Sequence, residues 1–226
     1  MKITYYGHSC FGIESNQKQI LFDPFIQYNE LANDISLDDI NCDFMLISHG
    51  HEDHVADALE IAKRNDALMV SNFEVITWFQ KKGYEKVHPL NHGGKMDFDF
   101  GSAKYVNAIH SSMMPDGTYG GNPGGFIIQN SEATFYYAGD TALFSDMKLL
   151  SEMHQFDFAF LPIGDNFTMG IEDAVNAADF IQCDKIIGMH YDTFPPIKID
   201  HQAAIKAFRK EGKELILMKI GSSIEL

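Results

Sequence analysis

Short apolar and alternating runs open the chain. Lys2–Tyr6, Cys10–Glu14 and Gln19–Phe22 are separated by turn residues and predict a strand meander. Asp23-Pro24-Phe25 ends the third run, and the polar stretch Gln27–Asn41 reads as a loop with a short helical piece. Phe44–Ile47 is an apolar strand leading into Ser48-His49-Gly50-His51. Leu59, Ala62 and Lys63 fall at helical spacing within Val55–Arg64, with Asp53 near the start and basic residues near the end, as the helix dipole prefers. Leu68–Val70 predicts a strand and Phe73–Lys82 a helix stopped by Gly83. Val87–Leu90, Lys95–Phe98 and Ala103–Ile109 follow as strands, the last running up to His110.

Ser111–Gly125 is rich in Gly, Pro and small residues and reads as a loop. Phe126–Gln129 and Thr134–Ala138 predict strands, the second ending at Gly139-Asp140, and Phe144–Met153 a helix. Phe158–Leu161 is a strand running into Pro162–Phe167; Ile171–Ile181 is an amphipathic helix; Lys185–Met189 is a strand ending at His190. A helix near His201–Lys210 and strands at Glu214–Met218 and Ser222–Leu226 complete the pattern. Strands cluster first and later alternate with helices, which predicts an α/β sandwich of mixed sheets covered by helices on their outer faces. With no low-complexity linker, residues 1–226 read as one domain, with a weak two-half resemblance dividing near Ser112–Gly125.

Composition narrows the function classes. A chain of 226 residues buries enough surface to be stable without disulfides. Its formal net charge of -15 argues against nucleic acid and against anionic membranes, both of which call for clustered Lys and Arg. It leaves room for an anionic small substrate, because a bound metal can reverse the local field. Three cysteines, Cys10, Cys42 and Cys183, without C-x-x-C spacing fit reduced thiols. With no apolar run long enough for an export signal or a membrane span, the expected location is the cytoplasm.

The chemistry concentrates at strand ends. His49, His51, His110, Asp140 and His190 each follow an apolar strand, and Asp53 and His54 lie where the chain turns into a helix. Strand ends let side chains from distant segments converge on one sheet edge, and imidazole with carboxylate suits zinc, manganese or iron. A lone histidine is ordinarily a core or surface residue, and His88, His92, His154 and His201 keep that reading.

The H-x-H-x-D-H segment with a later His, Asp and His resembles the metallo-β-lactamase superfamily signature. Gly7–Phe11, Asp23–Phe25, Gly139–Thr141, Pro162–Gly170 and His190–Pro195 resemble its metal-dependent hydrolase branch, which is similar to the bacterial ascorbate-6-phosphate lactonases. The resemblance implies a four-layer αββα sandwich with a two-metal centre at one edge of the sheets. It implies that His49, His51 and His110 bind the first metal, that Asp53, His54 and His190 bind the second, and that Asp140 bridges them. Zinc is the first expectation, with manganese and iron also suited to the ligands. Relatives of the lactonase type make a homo-oligomer plausible.

Such a centre would keep about one net positive charge after two aspartates and a bridging hydroxide, enough to stabilise an oxyanion. The expected activity is hydrolysis of a small ester, lactone or phosphoester. Asp53 would orient the hydroxide, and His8, in a Gly-His-Ser turn, is the candidate proton donor or substrate anchor. Asn122, Asp165, Asn166 and Thr193 are candidate substrate or supporting contacts, against an equally good reading as turn and cap residues. Phe167, Met169 and Phe194 are candidate pocket walls, with core packing as the plainer reading. Two alternatives remain at the level of sequence: a nuclease or phosphodiesterase, and a metal-stabilised ligand-binding module without turnover.

Overall fold

The computed structural model describes residues 1–226. The first half builds one sheet: β1 (Lys2–Gly7), β2 (Cys10–Ser15), β3 (Lys18–Phe22), β4 (Phe44–Leu46), α1 (Glu52–Val55), α2 (Ala58–Asn65), β5 (Leu68–Asn72), α3 (Phe73–Lys81) and β6 (Val87–Leu90). The second begins with β7 (Lys95–Phe98), β8 (Gly101–Asn107), β9 (Gly124–Gln129) and β10 (Thr134–Tyr137). It continues with α4 (Met147–Met153), β11 (Phe158–Pro162), α5 (Ile171–Phe180), β12 (Lys185–Met189), α6 (His201–Lys210), β13 (Glu214–Ile216) and β14 (Ser223–Glu225). The seven-stranded sheets have the orders β14-β1-β2-β3-β4-β5-β6 and β13-β12-β11-β10-β9-β8-β7. The expected α/β sandwich of two mixed sheets is the observed architecture. The chain crosses between sheets at residues 91–94, ahead of the divide anticipated at Ser112–Gly125, and β14 returns to pair with β1.

The period-2 pattern sorts side chains between layers. In the first sheet Ile20, Phe22, Phe44, Leu46 and Val70 join the core between the sheets, while Leu21, Met45 and Met69 pack with Ile61 of α2 and Val75 and Phe79 of α3. Aromatic pairs fill the gap: Phe22 stacks on Tyr137 at 4.5 Å, and Phe11 meets Phe160 at 4.7 Å. Each fully buried phenylalanine contributes roughly 2–3 kcal/mol from area alone. The three cysteines are buried free thiols. No helix is long and apolar enough to cross a membrane.

Three elements differ from expectation in ways that shape the site. The helix expected over Val55–Arg64 is split into α1 and α2 at Ala56-Asp57. Asp57 is the cause: its Oδ2 accepts from the backbone N–H groups of Ile26 and Gln27, at 2.5 and 3.0 Å, instead of capping its own helix. Asp53 and His54 therefore sit on a separate single-turn helix. The strand expected to reach Ile109 ends at Asn107, so His110 lies on a loop beyond it. The polar stretch 27–41 carries two short 3-10 turns, Glu30–Ala32 and Leu37–Asp39.

Strand direction gathers the chemistry. β1 and β3 are both antiparallel to β2, and β3 and β4 are parallel. In the other sheet β8 and β10 are both antiparallel to β9, and β10, β11 and β12 are parallel. Within each sheet these strands therefore end on one edge. The backbone N–H of His190 donates to the His8 carbonyl at 3.0 Å, joining the two edges.

Candidate metal centre

Backbone geometry at the strand ends is unusual. His8, Asp23 and His190 follow β1, β3 and β12 directly and take φ values of 55, 41 and 56°. This left-handed region costs a side-chain-bearing residue about 1 kcal/mol or more, and it persists where the surroundings fix it. Those surroundings are polar and buried: Tyr5 donates to the His8 carbonyl at 3.1 Å, and the Asp23 N–H donates to the Leu46 carbonyl at 3.2 Å. Gly139 is required beside them, because a Cβ there would lie 2.7 Å from both the Gly124 carbonyl oxygen and the Ser48 Cβ.

The other six sequence-predicted ligands come together near Asp140. Its Oδ2 lies 3.0 Å from His190 Nε2, 3.3 Å from His54 Nε2, 3.5 Å from His110 Nε2 and 3.9 Å from His49 Nε2. His49, His51 and His110 form one group whose ligand atoms lie within 4.8 Å of each other, and His8, Asp53, His54 and His190 form a second. In the second group His8 is already engaged: Nδ1 pairs with Thr193 Oγ1 at 2.9 Å and Nε2 with Asp53 Oδ2 at 3.1 Å. That leaves Asp53, His54 and His190 with atoms to offer. His8, His49, His54, His190 and Asp140 are buried, whereas His51, His110 and Asp53 are partly open to solvent and mark the mouth.

The donor set fits a cation. None of the four contacts to Asp140 Oδ2 is aligned as a hydrogen bond, and Asp140 Oδ1, His54 Nε2 and His190 Nδ1 are buried without any partner. Buried polar atoms are nearly always satisfied, so such a cluster of orphans is the pattern expected of metal-ligating groups. Electrostatics agree for Asp140, whose carboxyl is kept ionised, and for His49, whose ring is kept neutral. Burial opposes charge on both Asp140 and His54, but the His190 and His54 imidazoles hold the Asp140 carboxyl well below the usual range. The Asp140 and Asp23 carboxylates hold His54 above its ordinary value. Burial, the His54 charge and the other imidazoles push His49 down.

Asp23 was absent from the expected site residues, and it is the group that organises the buried side of the centre. Its Oδ1 accepts from the Ser48 N–H at 2.7 Å; its Oδ2 accepts from Ser48 Oγ at 2.6 Å, His54 Nδ1 at 2.8 Å and Tyr137 OH at 2.8 Å. Because a carboxylate only accepts, His54 carries its proton on Nδ1. Because the Ser48 hydroxyl proton is committed to Asp23, Ser48 Oγ accepts from His49 Nδ1 at 2.9 Å. One carboxylate thus sets which nitrogen both imidazoles present to the centre. Tyr105 OH donates to the Ser48 carbonyl at 2.6 Å, and Ser111 Oγ lies 3.2 Å from His51 Nε2, which leaves His51 Nδ1 beside His49 Nε2 at 3.0 Å. The sequence signal for Asp23 was the Asp-Pro-Phe that closes the third apolar run.

The four substrate candidates separate. Thr193 joins the constellation through His8. The Asn122 carbonyl accepts from Asn72 and Tyr105, and its side chain accepts from Tyr119 OH. Asp165 and Asn166 form a left-handed turn in which Asp165 Oδ1 accepts from the Asn166 N–H, and Asp165 lines a groove of about 520 Å³ between α5 and α6. Asn122, Asp165 and Asn166 therefore make turn contacts and touch none of the ligand groups. Met169 is buried core, Phe194 lies 5.4 Å from the His8 ring, and Phe167 is 53% exposed.

A family described as "Beta-lactamase superfamily domain" matches residues 2–190. The chain belongs to this family. Among members of the β-lactamase superfamily, the UPF0173 metal-dependent hydrolase of Christiangramia forsetii is 54% identical over 227 residues, covering 100% of both chains. The UPF0173 metal-dependent hydrolase of Flavobacterium johnsoniae is likewise 54% identical over 226 residues, again covering 100% of both. The structure of Igni18, a metallo hydrolase of the archaeon Ignicoccus hospitalis, superposes with a TM-score of 0.89 at 34% identity, covering 99% of this chain and 97% of that one. The superfamily sandwich extends beyond the matched segment here, since α6, β13 and β14 follow residue 190 and complete the two sheets.

Proposed function

We propose that this chain is a hydrolase that holds two divalent metal ions and cleaves a small ester, lactone or phosphoester. The observation that carries the reading is Asp140 Oδ2, placed 3.0–3.9 Å from Nε2 atoms of four histidines contributed by three separated segments. His49, His51 and His110 would hold one ion, Asp53, His54 and His190 the other, and Asp140 would serve both. Zinc leads on ligand type, with manganese and iron accepted by the same mixture. The names of the two bacterial relatives, both metal-dependent hydrolases aligned over the full length, support the class.

When bound, such ions supply a Lewis acid for the scissile oxygen and a water acidified toward neutrality. In hydrolysis of an ester, water oxygen bonds to the carbonyl carbon, the ester C–O bond breaks, and one proton passes to the departing alkoxide. The residues of this chain have distinct parts in that change. Asp53, at the mouth, accepts a hydrogen bond from His8 Nε2–H, which fixes the carboxylate's orientation. Burial, with His190 beside it, lowers the His8 pKa to about 4, so the ring is neutral at pH 7. A neutral ring donating at Nε2 accepts at Nδ1, and Thr193 Oγ1 is there to donate. On this reading His8 positions Asp53, and proton delivery falls to the more exposed mouth.

Metal analysis of protein purified without chelators, followed by a screen of chromogenic esters, lactones and phosphodiesters with each ion, tests the proposal. The expected result is about two equivalents of metal per chain and turnover lost by at least a hundredfold in Asp140→Asn. Stoichiometric retention of a ligand without turnover would instead assign a binding module.

A further inference from the structure

We infer that the substrate is uncharged and carries an apolar group beside its scissile bond. This rests on the hydrolase reading above and narrows it. The carrier is a charge pattern. The loops at the site edge are residues 23–33, 47–54, 108–123, 138–146, 163–170 and 190–200, and among them stands a single basic side chain, Lys198. Of the lysines and arginines outside these segments, Lys82 reaches the 108–123 loop, where its Nζ lies 3.9 Å from Asp116 Oδ2. A substrate with a phosphate or carboxylate remote from the reacting atoms needs a cation, or a row of backbone N–H groups, to replace its hydration. The ions themselves would be committed to the scissile group, and the mouth offers the partly open Asp53 carboxylate, with Glu52 exposed next to it in sequence, instead.

The same loops display apolar surface. Six of the ten exposed large hydrophobic side chains lie on them. Ile109, 50% exposed, and Met113, 56% exposed, flank the loop that carries His110. Phe167, 53% exposed, tips the turn 165–169. Thr141, next to Asp140, ties these pieces together: its Oγ1 accepts from the Ile109 N–H at 3.0 Å, and its carbonyl accepts from the Met169 N–H at 3.1 Å. On the His8 side, Phe25 and Phe194 pack against its ring at 5.6 and 5.4 Å. Exposed apolar side chains in such number beside a polar centre mark a surface that is covered during function. With Lys198 the one lysine or arginine on these segments and Lys82 paired with Asp116, the surface is suited to a neutral occupant. An anionic substrate, which a bound metal could otherwise have admitted, is disfavoured by the same pattern.

The matched probes are p-nitrophenyl hexanoate and p-nitrophenyl adipate monoester, which share the reacting group and differ in a remote methyl or carboxylate. On the metal-loaded protein, kcat/KM for the hexanoate should exceed that for the adipate monoester at least tenfold. Equal or reversed preference overturns the inference. Ile109→Asn with Phe167→Asn, both at exposed positions, should lower the hexanoate-to-acetate ratio of kcat/KM at least threefold. An unchanged ratio overturns it.

A binding measurement keeps the two readings separate. Equilibrium dialysis of hexanophenone against its ω-carboxylate, 5-benzoylpentanoate, needs no turnover. Preferential retention of the neutral ketone, weakened by the double variant, supports the inference even if every ester is inert, an outcome that would count against ester hydrolysis alone. If light scattering instead shows a dimer that the double variant dissociates while ketone binding is unaffected, the surface belongs to a second copy of the chain and the inference fails.

Discussion

Asp23 illustrates how much a single residue can decide. It is fully buried, and its oxygens accept four hydrogen bonds. Its effect runs through proton placement on His54 and, by way of Ser48, on His49. Replacing it with Asn puts an amide N–H against one of these donors and leaves a buried group unsatisfied. Partners of this kind are worth about 10–100-fold in metal affinity. Asp23→Asn is therefore expected to weaken metal binding within that range, measured by chelator competition, while circular dichroism reports an unchanged sandwich. Unaltered affinity in a folded variant would remove Asp23 from this role. The candidate ligands were legible in the sequence because His, Asp and strand ends form a pattern along the chain. Asp23, Ser48 and Ser111 were not, since their function depends on which ring nitrogen they meet, and spacing carries no record of that.

At the scale of elements, the alternation of apolar positions placed nearly every strand, and the errors arose where a side chain works across the fold. Asp57 splits the expected helix because its carboxylate serves the Ile26–Gln27 backbone. Sheet order and the crossing at residues 91–94 were not legible, since periodicity identifies a strand's faces without naming its neighbours. A second long-range device lies where the turn after β2 meets the turn after β9. There Glu132 Oε1 accepts from the Asn16 N–H at 2.7 Å and from Ser15 Oγ at 2.8 Å, clasping the two sheets. The Asn16 N–H, with the N-terminal ammonium and Ser15, lowers the Glu132 pKa from 4.5 to about 2. A depressed carboxyl pKa contributes stability that is complete above the unfolded value and is lost as pH falls through the folded one. Glu132→Gln should accordingly lower Tm at pH 7, and the gap from the parent should close between pH 4.5 and about 2. A gap independent of pH would mean that charge on Glu132 is not what holds the clasp. Solvent exposure keeps the effect small.

For the whole molecule, the centre is also a joint between the two sheets. His8, Asp23, His49 and His54 come from the first sheet and its loops, and His110, Asp140 and His190 from the second. At this edge hydrogen bonds tie the sheets, from Tyr137 OH to Asp23 Oδ2 at 2.8 Å and from the His190 N–H to the His8 carbonyl at 3.0 Å, while Asp140 Oδ1, His54 Nε2 and His190 Nδ1 are buried without partners. Ligands divided in this way make metal affinity part of folding free energy, because the unfolded chain does not assemble them. A ligand at about a thousand times its Kd stabilises the native state by roughly 4 kcal/mol, and in a chain of this size each kcal/mol moves Tm by about 2–4 °C. Chelation should thus lower Tm by about 10 °C, and readdition of zinc or manganese should restore it. The same treatment should leave Tm unchanged in Asp140→Asn if that variant no longer holds metal. A Tm that chelation does not move in the parent protein would mean that the Phe11–Phe160 and Phe22–Tyr137 core, the His190–His8 and Tyr137–Asp23 hydrogen bonds and the Glu132 clasp hold the two halves without a contribution from metal.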